Sequence, residues 1–375
     1  NLFANASLRR RLPDTPFATD GEFVPLSKEG TFGGHHILVP KRGVAVHINA
    51  FNFPVWGMLE KVAVNWLAGV PAIVKPATVT CFLTEAVVAA IHDSGILPPG
   101  ALQLVCGSAR NILDHVDERD VVTFTGSAST GIALKQHPRI SQHAVPFNME
   151  ADSLNSAILG PDAVPGTPEF DLFVKEVRKE MTVKCGQKCT AVRRVFVPAA
   201  VQEEFQAALM AQLHKTQVGD PQKEGVRMGA LVGKAQVQDV LDQVARLEQE
   251  AEWLFGQDKQ ADVLADNPER GAFLPAMLLK HANPHEATAV HEVEAFGPVS
   301  TVMPYHDVEE AVALANRGLG SLCCSITTHD PKVAREFVHN AAHMHGRILV
   351  LDRDCAKEST GHGSPMPLLV HGGPG

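Results

Sequence analysis

Gly43-Val44-Ala45-Val46-His47-Ile48-Asn49-Ala50-Phe51-Asn52-Phe53-Pro54 is the stretch on which the fold is read. Its first half is a short apolar run of the length of a buried strand. The Asn49–Phe53 stretch turns, and Pro54, with φ already fixed, suits the first turn of a helix that keeps helical spacing from Trp56 to Leu67. The pattern then repeats downstream. Pro71-Ala72-Ile73-Val74-Lys75-Pro76 reads as a strand ending in a turn, Phe82 to Ser94 as a helix, and Leu102 to Val105 as a strand. Ala109 to Val116 reads as a helix and Val121 to Thr125 as a strand, whereas residues 1–32 are polar and without clear periodicity. A β-α-β-α-β-α-β alternation predicts an α/β protein with a doubly wound parallel sheet.

Sheets of this kind bind ligands at the carboxyl ends of their strands. The polar and small residues fall at those ends: Asn49 and Asn52 after the first strand, Lys75 after the second, and Thr125-Gly126-Ser127 after the last. Gly126-Ser127-Ala128-Ser129-Thr130-Gly131 opens a helix, where small residues let backbone N–H groups approach a phosphate. It lacks the Lys-Ser/Thr of a P-loop and the G-x-G-x-x-G fingerprint, and Gly and Ser at a helix start also serve for capping.

Beyond Gly131 the pattern changes. Glu150 is a carboxylate in an otherwise neutral stretch, a surface residue or, facing a cleft, a base. A second α/β unit follows, with helices over Phe170–Thr182, Val201–Leu213 and Val237–Glu250, a loop-like stretch from Gln257 to Asn267, and alternating strands and helices from Pro298 to Leu351. Between its first helix and the strand at Arg194 lies Lys184-Cys185-Gly186-Gln187-Lys188-Cys189-Thr190. Cys189 sits in a small polar loop beside a lysine, which is how a thiol is made nucleophilic near neutral pH. The other readings of that loop are a buried cysteine acting as a small hydrophobe, or a Cys185/Cys189 metal or redox pair; the C-x-x-x-C spacing without a second pair disfavours metal. His362 and His371, among glycines, read as loop hydrogen-bonding residues, and no metal site is expected.

The bulk composition narrows the classes. With 375 residues, 45% hydrophobic and 20% charged, the chain has room for two or three domains and a sizeable core. A net charge of −9 with no basic block disfavours nucleic acid, and no apolar run is long enough to span a bilayer. Seven scattered cysteines fit a reducing cytoplasm better than secretion. The chain begins at Asn1 and stops within His371-Gly372-Gly373-Pro374-Gly375, so both ends read as internal to a longer protein.

Six separate stretches carry a resemblance. Asn52-Phe53-Pro54, Val74-Lys75-Pro76, Phe124-Thr125-Gly126-Ser127, Glu150, Gly186-Gln187-Lys188-Cys189 and Glu294-Ala295-Phe296-Gly297-Pro298-Val299 occur in the order and rough spacing of aldehyde dehydrogenases. The chain resembles that superfamily from about Gly43 onward. The wording at Ile48–Pro54, Met149–Asn155 and Ser359–Ser364 is similar to the semialdehyde dehydrogenases of aerobic aromatic-acid breakdown through CoA thioesters, of the phenylacetyl-CoA or benzoyl-CoA kind. In the phenylacetyl-CoA kind the domain is fused to an enoyl-CoA hydratase-like domain.

The resemblance implies a cofactor domain over 1–155, a catalytic domain over 156–345 with the nucleophilic cysteine, and a glycine-rich tail over 346–375. It implies that Cys189 attacks an aldehyde, that Asn52 and the Cys189 N–H form the oxyanion hole, and that Glu150 activates the hydrolytic water. Lys75 would hold the adenosine ribose, Gly126 and Ser127 the pyrophosphate, Glu294 the nicotinamide ribose and Phe296 the ring, with Ile48, Phe51, Phe124 and Thr130 also along the cofactor. NAD-preferring relatives often have a glutamate three positions after the lysine; here that position is Thr78, so NADP is expected, with NAD the other possibility and helix capping the other reading of Thr78. The resemblance also implies a CoA-linked aldehyde substrate, a homo-oligomer, and a fused or associated hydratase domain. Where the family has Glu-Leu-Gly-Gly this chain has Glu150-Ala151-Asp152-Ser153, its Pro-Trp is Ala50-Phe51, and for Lys61, a proton-relay residue in some relatives, the sequence of the visible tail identifies no carboxylate. Two alternatives stand beside the hydrolytic reading: a CoA-acylating dehydrogenase, whose kind generally lacks the glutamate, and a non-catalytic protein that kept the fold.

Overall fold

The structure is a computed structural model and describes residues 2–108 and 111–363. The chain divides into two compact units with the boundary between Ala151 and Asp152.

The first unit contains α1 (Leu2–Arg9), β1 (Ala18–Pro25), β2 (Gly33–Leu38), β3 (Ala45–Ile48), α2 (Trp56–Leu67), β4 (Ala72–Lys75), α3 (Cys81–Asp93), β5 (Leu102–Leu104), β6 (Val121–Gly126), α4 (Ala128–Lys135), α5 (Pro138–Gln142) and β7 (Phe147–Ala151). β3 to β7 form one parallel sheet in the order β5-β4-β3-β6-β7. Their short apolar runs follow from burial on both faces. On one face Met58 and Val62 of α2 and Val88 of α3 pack on Ala72, Val74 and Leu102. On the other, Val46 and Val122 meet Leu113, Val116, Ile140 and Val145. The chain winds outward from β3 through β4 to β5, then returns to β6 on the other side. The strand order therefore reverses between β3 and β6, the place where such sheets open a crevice.

Two local expectations need correction. Residues 1–32 are not featureless: they hold α1, β1 and the approach to β2, and β1 and β2 form an antiparallel hairpin. Nearly every hairpin residue is exposed, so the in-out alternation that marks a half-buried strand has nothing to write it into the sequence. The helix expected over Ala109–Val116 is a single 3₁₀ turn at Ile112–His115, since one turn suffices to bury Leu113 before Val116 runs extended; residues 109 and 110 lie outside the described part. Pro54 stands in the turn that leads into α2: the Gly57 N–H donates across it to the Phe53 carbonyl at 2.8 Å, the Thr80 hydroxyl donates to the Phe51 carbonyl and the Thr84 hydroxyl to the Pro54 carbonyl, and regular helix starts at Trp56.

The second unit contains β8 (Ser156–Leu159), α6 (Pro168–Thr182), β9 (Arg194–Pro198), α7 (Gln202–Leu213), β10 (Val218–Gly219), α8 (Lys234–Leu247), β11 (Glu252–Phe255), β12 (Val263–Leu264), β13 (Met277–Lys280), α9 (Ala289–Glu292), β14 (Val299–Tyr305), α10 (Val308–Asn316), β15 (Cys324–Thr327), α11 (Pro331–Ala341) and β16 (Ile348–Leu351). Seven of the strands make one sheet, β11-β13-β14-β9-β8-β15-β16, parallel except for β11. Alternation along β9 feeds two cores: Phe196 joins Val240, Val244 and Phe337, while Val195 and Val197 join Phe173, Val177 and Phe205. The loop expected over Gln257–Asn267 holds β12, which pairs with β10 over two residues.

α6 matters most for the site. The Thr167 hydroxyl accepts the Phe170 N–H at 3.3 Å, Pro168 occupies the first turn, and Glu169 and Asp171 face the positive end of the helix. After Thr182 the chain turns sharply: Lys184, Cys185 and Gly186 all have positive φ, at 55°, 53° and 67°. At Gly186 a Cβ would stand 2.0 Å from the Gly297 carbonyl oxygen, so only glycine fits there.

Candidate active site

The first unit carries most of the residues assigned to the cofactor; Glu294 and Phe296 lie in the second. Ile48 ends β3 and Lys75 ends β4, with the Asn49 N–H donating to the Lys75 carbonyl at 2.9 Å. Phe124 and Gly126 lie at the end of β6, and Ser127 is the extended residue that begins α4. The Ser127 hydroxyl makes no cap bond to the helix; it donates instead to the Thr130 hydroxyl at 3.0 Å. A Cβ at Gly126 would meet the Phe124 ring at 2.6 Å, and one at Gly131 the Met149 sulfur at 2.5 Å, so the helix start is drawn tightly onto the sheet. Thr78 is exposed and is the first residue of a 3₁₀ turn whose cap is Ala77; its side chain caps nothing. An exposed hydroxyl, a half-buried lysine and a small-residue helix start at adjoining strand ends are a donor set that fits a dinucleotide with its phosphates.

Asn52 and Phe51 are half-buried in the turn before α2. Glu150 belongs to β7, a strand the sequence pattern did not reveal, in register with Thr125 of β6. The Thr125 hydroxyl accepts from the Lys61 ammonium at 2.8 Å, and Lys61 also reaches the Asn49 side-chain oxygen at 3.2 Å. Behind this cluster His47 bonds the Thr123 hydroxyl at 2.7 Å and Asn65; burial, aided by Lys61, lowers its pKa to about 3, so the imidazole is neutral.

The second unit carries Cys189, Glu294 and Phe296, and they gather at the amino ends of β8, β9, β14 and β15. Cys189 is partly exposed while its neighbours Gln187, Lys188 and Thr190 are buried. Its carbonyl accepts the Asn155 amide at 2.8 Å, and Asn155 also donates to the Ala191 carbonyl at 2.9 Å. The other end of Asn155 accepts the Ser153 hydroxyl at 2.8 Å and the Cys323 N–H at 3.0 Å. The lysine beside the cysteine is not a free cation. The Lys188 ammonium is buried and paired with Glu180 of α6 at 2.6 Å. Burial lowers the pKa of Lys184, and the Cys189 charge opposes that fall.

Arg193 joins the pieces. Its guanidinium donates to the Gly297 carbonyl at 2.7 Å, the Gly186 carbonyl at 2.9 Å and the Lys188 carbonyl at 3.3 Å. It lies 3.4 Å from a Glu294 oxygen and 5.4 Å from the centre of the Phe296 ring. In a trans peptide the N–H points opposite the carbonyl, so the bonds that Ala191 N–H and Arg193 make to Lys188 direct the Cys189 N–H the other way. The second Glu294 oxygen accepts the Ser153 N–H at 3.1 Å. Burial raises the Glu294 pKa to about 7 against the pull of Arg193, and Asp152 adds to the rise.

Cys185 is a core residue. It is fully buried, and burial alone pushes its thiol up to about 12, which leaves it poorly suited to bind metal or exchange disulfides. His362 is also buried, between the Thr190 carbonyl and the Ser325 hydroxyl. His371 lies outside the described residues. Sequence reasoning missed the roles of Asn155, Glu180 and Arg193. For Asn155 and Arg193 the available signal was a polar residue just before an apolar strand, at the end opposite to that the carboxyl-end rule inspects; for Glu180 it was a carboxylate on the buried face of α6.

Residues 15–353 match the model of the aldehyde dehydrogenase family. The chain belongs to that family. It is 50% identical over 355 residues to the 3,4-dehydroadipyl-CoA semialdehyde dehydrogenase of Aromatoleum evansii, covering 95% of this chain and 69% of that protein. It is 49% identical over 149 residues to Protein MaoC of Klebsiella aerogenes, covering 40% of this chain and 43% of that protein. Among solved structures, a betaine aldehyde dehydrogenase from Staphylococcus aureus in complex with NAD+ superposes with a TM-score of 0.80 at 21% identity, covering 94% of this chain and 66% of that one. This likeness shows the fold, and the chain spans about two thirds of the length of that structure and less than half of Protein MaoC.

Proposed function

We propose that the protein oxidises the aldehyde group of a CoA-linked aliphatic semialdehyde to the carboxylic acid, in the degradation of an aromatic acid, with NADP as cofactor. The observation that carries this reading is the 50% identity to a CoA-semialdehyde dehydrogenase over nearly the whole chain. Cys189 is the nucleophile, adding to the aldehyde carbon to give a thiohemiacetal. The Asn52 amide and the Cys189 N–H receive the developing oxyanion; one such donor is worth about 10²–10³ in rate. When bound, the nicotinamide accepts the hydride released from the substrate carbon. Glu150 then takes a proton from the water that hydrolyses the Cys189 thioester.

Several features support the finer assignments. Thr78 is exposed and uncommitted as a cap, so its hydroxyl suits a 2′-phosphate where a carboxylate would repel one. Ile48, Phe51, Lys75, Phe124, Gly126, Ser127 and Thr130 supply the rest of the cofactor site in the first unit, and Glu294 and Phe296 the nicotinamide end. The β1–β2 hairpin, with Phe23, Val24, Phe32, Ile37 and Leu38 more than half exposed, supports a homo-oligomer in which a second copy covers it. A fused or associated hydratase domain belongs to the same proposal through the resemblance of the sequence to the phenylacetyl-CoA kind. All seven cysteines are free thiols, which supports a cytoplasmic setting. No helix among the described residues is long and apolar enough to cross a membrane.

The test is reduction of NADP and of NAD by the purified protein with simple and CoA-linked aldehydes, beside Cys189→Ala. The expected result is NADP-linked turnover of the CoA-linked aldehydes, abolished in the variant. Turnover with NAD alone would remove the role given to Thr78; product appearing as a CoA thioester only when free CoA is added would favour the acylating reaction.

A further inference from the structure

Four consecutive carbonyls run through the nucleophile, and each is held by a buried side chain. Arg193 takes that of Lys188, Asn155 takes those of Cys189 and Ala191, and His362 takes that of Thr190 at 3.0 Å. His362 comes from a distant segment that the chemistry above does not use. A carbonyl can only accept, so Nδ1 of His362 carries the proton, and Nε2 accepts the Ser325 hydroxyl at 2.8 Å. The carbonyl thereby sets the tautomer, and the Ser325 hydroxyl, free to donate, matches it.

The segment bearing His362 is itself anchored. Arg347 donates to the His362 carbonyl at 2.7 Å. Gly361, at φ 74°, lies so close to α6 that a Cβ there would stand 3.0 Å from a Glu180 oxygen and 3.1 Å from a Glu176 oxygen. The other Glu180 oxygen holds Lys188, the residue before the nucleophile. The imidazole and the Glu180–Lys188 pair therefore grip the backbone on the two sides of Cys189.

We propose that His362 is a positioning residue for Cys189: its neutral imidazole, oriented by Ser325, fixes the Thr190 carbonyl and with it the backbone that presents the thiol. The proposal rests on Cys189 being the nucleophile. Burial lowers the His362 pKa, and Lys188 and Arg347 act in the same direction, while Glu180 and the bond to the Thr190 carbonyl oppose; the net fall is in keeping with a neutral ring. The groups facing the ring across the packed elements are Thr190, Ser325, Lys188, Glu180 and Arg347.

The test compares wild type with His362→Leu, His362→Asn and Ser325→Ala, reading the rate at which Cys189 is alkylated by iodoacetamide as a function of pH, together with kcat and KM. Leucine keeps volume and loses the donor; asparagine keeps a donor within reach of Thr190. The expected result is a fall of roughly ten- to a hundredfold in alkylation rate and kcat for His362→Leu, a smaller fall for Ser325→Ala, and recovery of most of the loss by His362→Asn. If His362→Leu does not fold, slower alkylation in folded Ser325→Ala supports the proposal, and an unchanged rate overturns it. A folded His362→Leu that reacts like wild type, or an asparagine variant as slow as leucine, overturns the positioning role alone. A wild type whose Cys189 reacts no faster than the other six thiols overturns the nucleophile and the positioning role together.

Discussion

Asn155 makes no contact assigned to chemistry, yet it bonds three carbonyls, one hydroxyl and one N–H around the cysteine. A buried polar group left without a partner costs about 1–3 kcal/mol. Asn155→Ala strands several at once and is expected to lower stability by roughly 3–5 kcal/mol, read from urea unfolding. Glu294 offers a second test. Its pKa is about 7 in the fold against an ordinary 4.5, so the fold favours the protonated acid. That contribution is fully present below pH 4.5 and is lost as pH rises through 7. Glu294→Gln is expected to remove a decline of on the order of 3 kcal/mol from the stability profile between those limits. A profile of the same slope in the variant would rule out Glu294 as its source.

The turn after α6 shows what an element can require of one residue. Gly186 has a positive φ and lies against the Gly297 carbonyl, whereas Gly166, at φ 91°, has nothing within 4 Å of a built Cβ. Gly166→Ala is expected to cost only backbone strain, about 1–2 kcal/mol, with kcat unchanged. Gly186→Ala must displace the loop and is expected to lower kcat by about 10² or more while the circular dichroism spectrum is retained. At this scale the sequence was readable wherever burial wrote a pattern. Strands β3 to β6 of the first unit and the long helices of the second emerge from apolar runs and periodicity, because each packs a face on a core, whereas β7, with no fully buried residue, was not readable as a strand. The β1–β2 hairpin was hidden because almost nothing in it is buried. The cysteine was visible from its polar loop, but its fasteners were not. Asn155, Arg193 and His362 sit next to the cysteine only after three parallel strands have been aligned, and no local spacing encodes that.

Titration and folding belong to the whole molecule. Three buried histidines, His47, His291 and His345, have pKa values lowered to about 3, 4 and 4, chiefly by burial, with Lys61 contributing at the first and Arg194 at the other two. Their stabilising contribution is full above the ordinary 6.5 and is lost as pH falls through 4 and 3. Acid unfolding is therefore expected to begin below pH 6.5 with net proton uptake, and His47→Asn is expected to flatten that limb in melts from pH 6.5 to 3. A different consequence follows from the bond between His362 and Thr190, which joins positions 172 apart. Contacts so distant in sequence close late. During synthesis the thiol leaves the ribosome well before the residue proposed to seat it, so the nascent chain is expected to carry a less reactive cysteine until the segment bearing His362 docks.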